Sequence, residues 1–117
     1  GSPRSGPIRA LAFGPSGTRL LIVFEDGRLF AIDSRIGGED GVPIATDVEA
    51  LAVPPVGSIV AVRKGRRVRL HRVPGGEALG EWTAPEEVVG MVWAGGGSHL
   101  AALLRSGGIL LVPWSAF

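Results

Sequence analysis

The chain has 117 residues, 45% apolar and 20% charged, and its 12 Lys and Arg against 11 Asp and Glu leave a net charge of +1. That balance suits a folded chain rather than a disordered one, and the charge is too small to imply a polyanion partner by itself. The sequence holds no Cys and no Asn, which excludes a disulfide scaffold, a Cys-ligated zinc site, a Cys nucleophile and N-glycosylation.

No apolar run reaches the roughly 18 residues of a membrane span, so membrane association is not expected. A chain without Cys fits a reducing cytoplasm, which is the expected compartment. The 19 Gly and nine Pro fall between apolar runs, as they do in an all-β chain with many turns.

Residues 1–7 read as a tag or a disordered lead, with Pro at 3 and 7 unsuited to a strand. From Ile8 the chain repeats at about 40 residues. "IRALAFGPSG" falls on "VEALAVPPVG" and then on "VVGMVWAGGG". Ile8, Val48 and Val88 coincide, as do Phe13, Val53 and Trp93, and Gly17, Gly57 and Gly97. The match continues from "TRLLIVFEDGRLFAID" to "SHLAALLRSGGILLVP"; the middle copy, "SIVAVRKGRRVRLHR", is one residue shorter in its turn. The units are 8–47, 48–87 and 88–117.

Each copy predicts an inner strand, a Gly-rich turn, an apolar strand, a second tight turn and a third strand. A fourth, more polar strand follows in "GVPIATD" and "EALGEWTA" but not in the third copy. The runs "LLIVF" and "LAALL" are apolar at every position, which predicts sheets covered on both faces. "GPSGT" lacks the Lys and the spacing of a phosphate-binding loop and repeats as "PPVG" and "AGGG", so it reads as a turn.

These copies resemble the WD-repeat β-propellers. The resemblance rests on the Gly-rich first turn, the "EDG" turn, and Ile32-Asp33, His71-Arg72 and Val112-Pro113 at the family's Trp-Asp place. It spans residues 8–114. No copy keeps Trp-Asp or the preceding Gly-His, and only Asp26 stands at the family's turn-Asp position, where the other copies have Arg66 and Ser106. The resemblance implies propeller blades of four-stranded antiparallel sheet and a non-enzymatic protein-interaction scaffold. The competing expectation is a β-trefoil of the same repeat length, acting as a carbohydrate-binding module.

Propellers close with ~4–8 blades, so three blades predict two uncovered apolar faces. The ring would then be completed by oligomerisation: a homodimer with six blades is favoured over a trimer with nine, the alternative being further blades of a longer chain. The missing outer strand of the third copy predicts an edge at "GILLVPW" that is left open or filled by a neighbouring chain.

Candidate chemistry is sparse. "RKGRRVRLHR" holds half of the Lys and Arg in ten residues. Arg63, Lys64, Arg66, Arg67 and Arg69 are therefore candidate contacts for phosphate or an acidic partner, Val68 and Leu70 facing inward and Arg67, Arg69 and His71 the other way. No aromatic platform accompanies them, which argues against nucleic acid. Trp82 and Trp114 are the other candidate partner contacts. His71 and His99 find no further ligands for a metal, "GGED" reads as an acidic turn, and no Ser has an evident base. No catalytic residue, metal or cofactor is expected.

Overall fold

The computed structural model describes residues 6–14, 19–33, 41–55, 57–73 and 75–117. The readings of residues 1–5, of "PSGT" at 15–18 and of "GGED" at 37–40 lie outside them.

Three antiparallel meanders follow one another along the chain. The first sheet has the order β1(Ile8–Phe13), β2(Arg19–Phe24), β3(Leu29–Asp33), β4(Val42–Ala45). The second runs β5(Ala50–Ala52), β6(Ile59–Lys64), β7(Arg67–Arg72), β8(Ala78–Thr83). The third has only β9(Val88–Ala94), β10(His99–Leu104) and β11(Ile109–Pro113), so β11 pairs on one side only. Among the described residues no barrel joins the sheets, which removes the trefoil expectation: strands that pair only with sequence neighbours leave three separate sheets to be stacked.

The tight turns are made where Gly allows them. Gly27, Gly65 and Gly107 take positive φ (93°, 61° and 100°) in the β2–β3, β6–β7 and β10–β11 hairpins. Asp47, in the link between the first two sheets, is the one described non-Gly residue in that region, at φ 54°. Asp tolerates it better than most side chains.

Stacking follows from alternation along the strands. Leu21, Val23, Leu29 and Ala31 on one face of the first sheet pack with Val60 and Val62 of the second. Ala61, Val68 and Leu70 on the second sheet's opposite face pack with Leu100, Ala102, Leu104 and Val112 of the third. Each interface is a layer of buried apolar side chains, and burying each large one contributes about 1.5–3 kcal/mol.

The outermost faces differ from each other. On the first sheet Ile22, Phe24, Phe30 and Ile32 are buried, with Phe24 and Phe30 edge to face at 6.0 Å. The Arg28 guanidinium lies 4.8 and 5.8 Å from the two ring centroids. Among the described residues, the exposed large apolar side chains of that face are Ile8, Leu11 and Phe13 of its first strand. On the third sheet the outermost face is open across all three strands: Val92, Leu103, Ile109 and Leu111 are 64%, 40%, 67% and 63% exposed. The two-sided burial expected of both apolar runs therefore holds for β2 and fails for β10, because no described residue covers the third sheet's far side.

Candidate interaction surface

The joints between sheets are built from backbone and arginine. The N–H of Val48 donates to the Gly27 carbonyl and that of Val88 to the Gly65 carbonyl, each at 3.0 Å. Thus Val48 and Val88, which open the second and third repeats, each fasten to the hairpin turn of the preceding sheet. Arginines clamp the same points: Arg9 Nη1 reaches the Val48 carbonyl at 3.4 Å and Arg63 Nη1 the Val88 carbonyl at 2.9 Å. Trp93 Nε1 donates across the second joint to the Ala52 carbonyl at 3.0 Å. These bonds hold sheets together in a chain that lacks the Trp-Asp and Gly-His pairs.

Carboxylates brace the turns. Asp26 pairs with Arg28 Nε at 2.7 Å and accepts the Arg28 N–H at 3.2 Å; these bonds hold its carboxyl below the ordinary range. Glu86 accepts the Ser106 N–H at 2.6 Å, which lowers its pKa likewise. Glu49 accepts the Gly65 N–H at 2.7 Å in the shortened middle turn.

The candidate contact residues divide. Arg63 is mostly buried, its side chain 17% exposed, and it serves the joint. Arg66 Nε donates to the Ala84 carbonyl at 3.0 Å, and Arg69 Nη2 to the Thr46 and Asp47 carbonyls at 2.7 and 3.2 Å. Arg67 lies at the surface, 3.4 Å from Glu81. Lys64 is exposed. A groove of about 580 Å³ brings Lys64, Arg66, Arg67 and Arg69 together with Asp47 and Thr83. His71 shares β7 with Arg67 and Arg69 but is buried, its Nδ1 3.0 Å from the Gly76 carbonyl. A carbonyl can only accept, so Nδ1 carries the proton.

The tryptophans lie elsewhere. Trp82 is half-buried against the layer between second and third sheets. Trp114 stacks on Trp93, with centroids 5.5 Å apart, and donates to the Gly97 carbonyl at 2.9 Å. Sequence reasoning missed the arginine clamps, because nothing in Arg9 or Arg63 alone tells a clamp from a surface cation. Among the described residues no three His, Asp or Glu side chains are placed to hold a metal ion, and no helix is long and apolar enough to cross a membrane.

No family model matches the chain, and no curated protein does. Solved structures do. The β-propeller domain of Myceliophteria thermophila Cps50 (Swd1) superposes with a TM-score of 0.75 at 20% identity, covering 98% of this chain and 38% of that one. The WD40 repeats of RRP9 give 0.76 at 14% identity, covering 96% and 37%. Kuenenia stuttgartiensis hydrazine synthase gives 0.75 at 15%, covering 98% and 35%.

The fold is that of consecutive β-propeller blades. At such identities the likeness establishes the fold alone, and the chain spans little more than a third of the solved chains it matches. Each sheet is one blade, with β1, β5 and β9 at its inner edge. Blade-to-blade packing uses the same repeat positions twice: what Leu21, Val23, Leu29 and Ala31 do in the first blade would fall, eighty residues on, to Ala101, Leu103, Ile109 and Leu111. Those are residues of the open face.

Proposed function

We propose that the chain is a non-enzymatic WD-like β-propeller module that scaffolds protein interactions, with blades at 8–47, 48–87 and 88–117, the last without its outer strand. Its ring is completed by other blades, supplied by a second copy in a six-bladed dimer, by two copies in a trimer, or by further blades of a longer chain. A cytoplasmic setting suits a module with no disulfide.

The observation that carries this reading is the open third-blade face. Its apolar residues occupy positions that are buried against a neighbouring blade in the first blade. A second chain would present the outer face of its first blade, where Ile8, Leu11 and Phe13 are the exposed apolar side chains. Burying such side chains contributes roughly 25 cal/mol per Å² toward association, set against the entropy of holding two chains together.

Association of folded chains raises the apparent stability with concentration. The thermal midpoint of the parent should rise over a hundredfold increase in protein. Leu111→Glu should fold and lose that dependence. A parent midpoint independent of concentration would contradict a ring closed by copies of this chain and leave only further blades of a longer one.

A further inference from the structure

The groove beside the second blade concentrates one sign of charge. One wall is the link from the first blade to the second, with Asp47; the other is the β6–β7 turn with β7 and β8. Lys64 and Arg66 flank Gly65, whose positive φ turns the chain between them. Arg67 and Arg69 stand two apart on β7 and so project to one face. Among the described residues four cations thus share the lining with one acidic residue, Asp47, and Glu81 stands beside Arg67.

These cations are largely held in place. Arg69 is fixed by two carbonyls of the link, Arg66 by the Ala84 carbonyl, and Arg67 is drawn toward Glu81. A guanidinium carries five N–H groups, so Arg66 and Arg69 keep donors beyond those bonds. A held guanidinium loses less freedom on binding an oxyanion than a loose one. The second hollow, of about 310 Å³ along β4, also has Arg69 in its wall and extends the surface past Thr46 and Ala45.

We propose that this groove binds an acidic peptide segment of a partner protein, its carboxylates spaced along an extended backbone to meet Lys64, Arg66, Arg67 and Arg69. A peptide fits better than a nucleic acid because no Phe, Tyr or Trp lines either hollow, and the one imidazole there, His71 in the second, is buried with its Nδ1 on the Gly76 carbonyl and so offers no open face to a base. The inference rests on the reading of the chain as an interaction module but not on ring closure, since both walls belong to one chain.

The test is fluorescence anisotropy with a labelled ten-residue Asp/Glu peptide, beside a neutral Ser/Gly peptide and a single-stranded oligonucleotide of equal charge. The acidic peptide should bind saturably, and several-fold more weakly at 300 than at 50 mM salt. Lys64→Ala with Arg67→Ala should weaken it at least tenfold, removing two exposed cations that no described joint uses. Asp47→Asn, which suits the same backbone conformation, and Glu81→Gln should each tighten it two- to fivefold. Equal binding of the neutral peptide, tighter binding of the oligonucleotide, or variants indistinguishable from the parent would overturn the proposal. Leu111→Glu should leave peptide affinity unchanged and the groove variants should leave solution mass unchanged, so the two readings fail separately.

Discussion

Arg63 shows how a surface-looking cation becomes structural. In sequence it belongs to a basic run; in the fold its guanidinium closes the joint between second and third blades through the Val88 carbonyl. A hydrogen bond to a charged, mostly buried group contributes about 1.5–3 kcal/mol. Arg63→Leu should lower stability to urea by roughly that amount, whereas Lys64→Ala should change it by less than about 0.5 kcal/mol. Equal effects would remove the clamp from the account. Asp26 and Glu86 make the companion case. Both carboxyls have a lowered pKa in the fold, so their stabilisation is present above the ordinary carboxylate range and is lost as pH falls through the folded values. An acid titration of stability should therefore be shallower in Glu86→Gln than in the parent; identical curves would deny the brace on Ser106.

At the scale of the element, the hairpin turns differ in what surrounds them. A Cβ on Gly27 would sit 3.2–3.3 Å from backbone atoms of Asp47 and Val48, whereas at Gly107 nothing lies within 4 Å. Both residues have positive φ, so Ala is strained at either. Gly27→Ala should cost more, because it also pushes on the link that feeds the second blade. Comparing the two urea midpoints checks this, and equal losses would mean the link yields freely. The strands themselves were legible in the sequence. The repeat and its Gly-marked turns placed four, four and three strands, and alternation put Val68 and Leu70 on the face opposite Arg67 and Arg69. What periodicity could not show was how far a continuous apolar run is covered. "LLIVF" and "LAALL" read alike, yet Ile22 is buried and Leu103 exposed, because the difference lies in what stands next to each sheet. The groove was half legible: its cations lie in one run, but Asp47, twenty residues away from Arg67, enters only through the stacking of blades.

For the whole molecule, the asymmetry of the two end faces governs behaviour. The first blade's outer face is largely closed, with Arg28 over Phe24 and Phe30, and the third blade's is not. A contiguous apolar face on a small molecule marks an interaction site or an aggregation hazard, and the unpaired edge of β11 beside it adds a row of backbone groups seeking partners. The repeat argues for an ordered partner, since equivalent positions two blades earlier already meet one. The most direct measurement is sedimentation equilibrium of the unmodified chain over a wide concentration range. A ring closed by copies of this chain requires a reversible shift from the 12.1 kDa chain toward a discrete multiple of it, a dimer before a trimer. A well-ordered monomer of 12.1 kDa at every concentration, with Ile109 and Leu111 still open to solvent, would contradict it.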